Sequence, residues 1–443
     1  MRDYRSVPPV EIVGAQGVHL ETADGRRLID AISSWWCKSL GHGHPHLRRA
    51  LIDQAERFEH VILANSTNAG LVRFCERILA LANVAPPMVW AADSGPIPVA
   101  GPFTKVFFAD NGSTGVEVAL KMALQWQAQT GAPQRRHFAA LGEGYHGETI
   151  GAMSVSDLGL YKAPFASLCS EVTMLGPLPR RSGPADPAWQ DAAAEWLPIA
   201  AQLDAVGSDL AAVIIEPVLQ GAAGMRLYSP DLLRRLRVWC DANGVLLIAD
   251  EIAAGMGRLG APLASHLAGI QADLVVLSKG LTGGFLPLSV TLCTERIAAA
   301  FDADYLDGKA FLHSNTYAGN ALAVAVANAA LDVYAETDLC AEVARRGPRL
   351  LAGLRDLAAS RPWLRDLRGC GMVAAADLRQ ADGSPFPRER RLGWQVFQAG
   401  LRHGAWLRPL GDTVYLFPPL TITDAEMDAL FVAFAASLDE VMG

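Results

Sequence analysis

The sequence has little cysteine: seven residues in 443, an odd number, with no Cys-x-x-Cys pair. This argues against a disulfide framework or a structural zinc site, and a reducing cytoplasm is the expected compartment. Runs of basic residues are also missing. The formal net charge is −8, so a nucleic-acid partner is not expected. No apolar stretch reaches the roughly 20 residues needed to cross a bilayer. The opening Met1-Arg2-Asp3-Tyr4 lacks the apolar core of a secretion signal, and there is neither an internal repeat nor a low-complexity tract.

What is present is a great deal to bury. Hydrophobic residues make up 51% of the chain and charged residues 19%. A chain this long exceeds one compact core. Short apolar runs at 105–109, 211–215, 245–249, Leu274–Leu277 and 288–292 alternate with helical patterns. Most are apolar on both faces, as in a mainly parallel sheet covered by helices. One helix between two runs is well marked: Ser229 can cap it, Pro230 suits its first turn and Gly244 follows its end. The expected architecture is α/β, with a large domain over 65–330 and a smaller α/β domain built from both termini, 1–64 and 331–443. Segments 86–102 and 176–186 read as long loops.

The strongest charge pairing is Asp250 with Lys279. Asp250 ends the run 245–249, and Lys279 follows the run ending at Ser278. About one strand–helix–strand unit separates them. Both belong at the carboxyl edge of the sheet, where open α/β sheets bind ligands. Uncompensated burial of either charge is costly. An ordinary salt bridge at a strand end would account for the pair; pyridoxal 5′-phosphate (PLP) would account for it chemically. Its aldehyde needs an amine, and its pyridine nitrogen needs a carboxylate to stay protonated and act as an electron sink. Lys279 would carry the cofactor as a Schiff base and later move a proton as a base.

A phosphate needs a second feature. Asp110-Asn111-Gly112-Ser113-Thr114-Gly115 leaves a strand and enters a helix expected over 116–127. Free N–H groups and the helix dipole favour an anion there, Gly112 permits close approach, and Ser113 and Thr114 offer hydroxyls. A simple Ser/Thr helix cap is the alternative. Neither a Walker loop nor a dinucleotide fingerprint is present. Tyr145, in Tyr145-His146-Gly147-Glu148, could stack on a pyridine ring or simply pack in its loop.

These motifs together resemble the class III aminotransferases of PLP fold type I over nearly the whole chain. The most specific blocks are Ile214-Ile215-Glu216-Pro217, then Asp250-Glu251-Ile252-Ala253-Ala254-Gly255, then Ser278-Lys279-Gly280-Leu281-Thr282-Gly283-Gly284. Within the family, Ser33-Ser34-Trp35-Trp36, Gly112-Ser113 with the stretch to Met122, and Arg408-Pro409 with Tyr415 and Pro418-Pro419 resemble one branch. That branch aminates 8-amino-7-oxononanoate to 7,8-diaminononanoate in biotin synthesis.

The resemblance implies roles. Lys279 would bind the cofactor aldehyde, Asp250 would pair with the ring nitrogen, and Tyr145 and Ile252 would flank the ring. Gly112 and Ser113 would hold the phosphate, with Asn315 and Thr316 reaching it from the second subunit of a homodimer. Trp35, Trp36, Tyr145, Ser314 and Tyr415 would shape the substrate pocket, and Arg408 would pair with the carboxylate of the keto acid. S-adenosylmethionine is the implied donor. Alternatives are lysine as donor, another ω-amine or ω-amino acid as substrate, or a PLP protein that does not transaminate. The chain departs from the branch at Ser314-Asn315, where Gly and then Pro or His are usual, and at Glu148, where Asp is usual. The shorter N-terminal segment leaves Tyr4 as a candidate substrate-facing tyrosine. His42, His44 and His46 alternate, but Gly and Pro break any strand there, and no metal site is expected.

Overall fold

The computed structural model describes residues 5, 7–84 and 101–443. Tyr4 and most of the 86–102 loop lie outside the described residues. The centre is a seven-stranded sheet. Its strands in chain order are β1 (Phe103–Ala109), β2 (His137–Leu141), β3 (Thr173–Leu175), β4 (Leu210–Ile215), β5 (Leu246–Asp250), β6 (Leu274–Leu277) and β7 (Ser289–Thr294). Their spatial order is β1-β7-β6-β5-β4-β2-β3. All run in one direction except β7, which pairs antiparallel with both β1 and β6.

Both faces of this sheet are covered, which is why its strands read as continuous apolar runs. Leu246 and Ile248 pack with Ala212 and Ile214 against Val116, Ala119 and Ala123 of helix α1 (Gly112–Gln129). The alternate residues Leu247, Ala249, Val213 and Ile215 face the other core, with Leu232, Leu233 and Leu236 of helix α2 (Pro230–Asn243). The ends of α2 follow the sequence signals. The Ser229 side chain accepts from the N–H of Asp231, Pro230 sits in the first turn, and Gly244 ends the helix at φ 65°.

Two local expectations needed correction. Helix α1 begins at Gly112, not near 116, because its cap is Asn111 rather than a Ser or Thr. The Asn111 side chain accepts from the N–H of Thr114, whose hydroxyl accepts in return from the N–H of Asn111. The crossover from β5 to β6 is also not an α-helix. It consists of turns and a short 3-10 segment, Ala264–Ala268, because Gly257 and Gly260 take φ of 84° and 94°, backbone that breaks a right-handed helix.

The termini meet away from this sheet. Strands Ile12–Gln16, His19–Thr22 and Arg27–Asp30 form one sheet with Ala405–Trp406, which pairs parallel with Arg27–Asp30. A three-stranded antiparallel sheet holds Leu364–Cys370, Val373–Leu378 and Thr413–Leu416. Among the described residues no helix is long and apolar enough to cross a membrane.

Asp273 fixes the β5–β6 pairing. It is fully buried, accepts from the N–H of Leu247 at 2.8 Å, and pairs with the equally buried Arg237 at 2.8 Å and with Arg296. Asp273→Ala removes one of the two carboxylates on buried Arg237, leaving it only Asp241, and strands the buried N–H of Leu247, so it should destabilise the fold by about 3–5 kcal/mol. Chemical denaturation should show the lowered midpoint.

Candidate active site

Strand direction assembles the site. Because β1, β2, β4, β5 and β6 are parallel to one another, the loops after all five leave the same edge, and β7 starts there. They bring Asn111, Gly112 and Ser113; Tyr145, His146 and Gly147; Glu216; Asp250, Ile252 and Ala253; and Ser278 and Lys279 around one cavity of about 420 Å³. Trp35, Trp36 and Cys37 close another side, and 284–288 a third. The volume suits a small-molecule site, which commonly spans about 300–1,000 Å³. Asp250 is the last residue of β5 and pairs in register with Val276, three residues before Lys279.

The acidic end of the cavity is tightly organised. Asp250 Oδ1 accepts from the N–H of Ile252 at 3.1 Å, and its Oδ2 lies 2.8 Å from His146 Nδ1. His146 is buried, and among the described residues its Nε2 has no hydrogen-bond partner. Glu216 is buried as well. It accepts from the N–H of Tyr145 at 2.9 Å and of Gly221 at 3.1 Å. Burial pushes its carboxyl up to about 7, partly opposed by His146.

Opposite them stands Lys279. Burial lowers its amine below the ordinary lysine value, while Asp250, Glu216 and Cys37 pull the other way. The net shift is toward the neutral, nucleophilic amine, the form that attacks a carbonyl. Its Nζ lies 5.3 Å from the centre of the Trp36 ring. Burial raises the Tyr145 hydroxyl, with Glu148 next in effect, so it stays protonated and donates to Glu148 Oε1 at 3.2 Å.

The residues present suit PLP. Helix α1 starts at Gly112, and the Asn111 cap serves Thr114. The N–H groups at the start of the first turn therefore have no partner within the helix, as an anion site requires. A Cβ at Gly112 would stand 2.8 Å from Ile252 Cδ1, so glycine keeps that edge open. The Asp250 carboxylate, held by two donors, suits a protonated ring nitrogen. Among the described residues no cluster of three or more His, Cys, Asp or Glu could hold a metal ion. The alternating histidines are split: His42 meets Asp30, His46 meets Asp332, and the buried Nδ1 of His44 has no partner.

The two tryptophans diverge. Trp36 is buried, and its Nε1–H donates to the Tyr415 hydroxyl at 3.1 Å. Trp35 is 53% exposed, and the Arg408 guanidinium lies 4.1 Å over its ring. Arg408 does not line the lysine cavity. It lines a neighbouring groove of about 1,000 Å³ with Trp394, Phe397 and Trp406, and Trp35 stands between the two. Ser314, Asn315 and Thr316 do not line their own chain's cavity either. Ser314 and Thr316 are exposed, and the Thr316 carbonyl lies 2.8 Å from His60 Nε2. Sequence reasoning assigned no role to His146 or Glu216. Position was the available signal: Glu216 directly follows β4 as Asp250 ends β5, and His146 adjoins Tyr145.

The chain matches the family model described as aminotransferase class-III over residues 2–438. It is 41% identical to the adenosylmethionine-8-amino-7-oxononanoate aminotransferase of Synechococcus elongatus, covering 98% of this chain and 96% of that one. The protein of the same name from Geobacter sulfurreducens is 34% identical, covering 100% and 95%. Among solved structures, the enzyme of that name from Methanocaldococcus jannaschii superposes with a TM-score of 0.87 at 28% identity, covering 100% and 95%. An amine transaminase from an uncultivated Pseudomonas species, in its PLP-bound form, gives 0.88 at 28% identity, covering 99% and 96%.

The raised Glu216 carboxyl makes stability pH-dependent. With a folded value near 7, its burial penalty is absent below the ordinary carboxyl range and grows as pH rises toward 7. In cofactor-free protein, the melting temperature of the wild type minus that of Glu216→Gln should increase as pH is lowered from about 8 to about 5.

Proposed function

The chain belongs to the class III aminotransferases, and we propose that it transfers an amino group from S-adenosylmethionine to 8-amino-7-oxononanoate, yielding 7,8-diaminononanoate for biotin synthesis. The observation that carries the chemistry is Lys279 sharing one cavity with the Asp250–His146 pair. The substrate assignment draws on the relatives' shared name and on the Trp36–Tyr415 wall.

In this reading Lys279 is the point of attachment for PLP. Asp250 faces the ring nitrogen, Tyr145 and Ile252 the ring faces, and Gly112 and Ser113 the phosphate. When bound, PLP supplies an electron sink that stabilises negative charge on the carbon losing its proton. Asp250, oriented by Ile252 and His146, keeps a negative charge beside that ring without reorganising. The Lys279 amine, its basicity lowered by burial, would take the proton from substrate carbon and be the group that returns it. Trp36, backed by the buried Tyr415, offers apolar surface to a long aliphatic acid, and Arg408 a cation for its carboxylate. Donor and acceptor use the cavity in turn.

We further propose a homodimer in which Asn315 and Thr316 of one subunit reach the phosphate in the other. This rests on the exposure of Thr316 and of Ser314 beside Asn315, and on the largely exposed Tyr305, Leu306 and Leu312 nearby in the chain. A second reading, with lysine as donor or another ω-amine as substrate, is favoured by one observation. The Arg408 guanidinium stacks on Trp35 in the neighbouring groove rather than lining the lysine cavity.

The deciding experiment follows the bound cofactor's visible absorption. S-adenosylmethionine alone should convert it to the amine-carrying form, and 8-amino-7-oxononanoate should reverse the change. A response to lysine but not to S-adenosylmethionine would replace the donor. No response to either would overturn the biotin assignment. Arg408→Ala should raise KM for the keto acid by roughly 10- to 150-fold, the equivalent of about 1.5–3 kcal/mol for a charge-assisted pair, with the donor half-reaction little altered. Steady-state kinetics on each substrate checks this. Thr316→Ala should speed cofactor loss on dialysis, and unchanged retention would remove Thr316 from the phosphate site.

A further inference from the structure

The wall formed by the two tryptophans rests on backbone that L-residues rarely adopt. Ser33, Ser34 and Trp36 have φ of 51°, 63° and 64°, and Ser34 combines its φ with ψ −80°. Each such residue costs free energy and persists only where the surroundings over-determine it. The turn has a clear purpose. It sends Trp36 inward against Tyr415 and over Lys279, and Trp35 outward beneath Arg408.

What holds the turn lies outside the cavity. Asp30, fully buried, accepts from the N–H of Ser34 at 2.6 Å and of Ile32 at 3.2 Å. His42 Nε2 lies 2.8 Å from the same carboxylate oxygen that serves Ser34. His42 is itself pinned by a two-way backbone pairing with Gly17, at 2.7 and 2.9 Å. Gly41 permits that approach: its φ is 76°, and a Cβ there would stand 2.8 Å from the Gly17 carbonyl oxygen. Ser33 adds a hydroxyl hydrogen bond to the Phe417 carbonyl at 2.7 Å. Buried carboxylates are held where donors converge on them, and here they converge on the turn that sets the wall.

We infer that Asp30, braced by His42, is a positioning residue that fixes substrate specificity by clamping the Ser33–Trp36 turn. It touches neither substrate nor cofactor. Its effect is larger on substrates long enough to extend from Lys279 past Trp36 to the Trp35 ring, and smaller on short amines. The choice of substrate class rests on the function proposed above.

Asp30→Asn is the test, because an amide cannot accept at both positions. KM for 8-amino-7-oxononanoate should rise at least tenfold, while kcat with a short primary amine falls less than about threefold. Adding Ser34→Gly should recover part of that KM, because glycine takes the same φ and ψ without a Cβ. An equal loss on both substrates, or no recovery with glycine, would overturn the inference. Should Asp30→Asn not fold, His42→Gln should give the same split at smaller size, and its absence counts against the clamp. Crystal structures of the wild type and Asp30→Asn decide the turn independently of any substrate: Ser34 leaves positive φ in the variant, or the inference fails. A wild type that turns over short amines but ignores the keto acid sinks the substrate reading, and the crystal comparison then stands by itself.

Discussion

An amine held beside carboxylates in one cavity is the constraint around which this molecule is arranged. A charged lysine in such a place loses its hydration, and so do the acids facing it. Here the cost is divided among neighbours. Asp250 keeps two donors, Glu216 accepts two backbone N–H groups, and Lys279 is pushed toward neutrality. The compensations come from the loops after β2, β4 and β5. The chemistry therefore exists only when all the loops are held at one edge of the sheet.

The sheet provides that rigidity. Parallel strands buried on both faces cannot slip register without turning their apolar side chains around. Asp273 bolts β5 to β6 at the end opposite the cavity through Leu247 and Arg237. Rigid strands thus carry Asp250 and Lys279, while the termini supply the tryptophan wall of the cavity. Trp36 comes from the N-terminal part, and its partners Tyr415 and Phe417 from the C-terminal part. A fold divided this way can alter its walls without disturbing the reacting groups.

Legibility followed the same division. The runs ending at Asp250 and Ser278 were readable because a doubly covered strand needs a continuous apolar stretch. Lys279 stood out because a lysine directly after such a strand is costly unless used. The ends of α2 were readable from Ser229, Pro230 and Gly244, whose backbone preferences act locally. The start of α1 was misjudged because Asn, Ser and Thr all compete to cap a helix, and only packing selected Asn111. The β5–β6 crossover was misjudged because spacing alone does not separate a helix from a chain of glycine turns.

By itself, the sequence determined the fold class, the strands that meet at one edge, and Lys279, Asp250 and the Gly112-Ser113 turn that stand at their ends. Those features depend on short-range periodicity and on what each residue type costs to bury. Only the tertiary structure decided that His146 backs Asp250, that Asp30 and His42 clamp the tryptophan turn, and that Arg408 lies behind Trp35. These contacts join positions 104, 12 and 373 residues apart in sequence. No local preference encodes them, because their energy appears only once the chain has closed those distances.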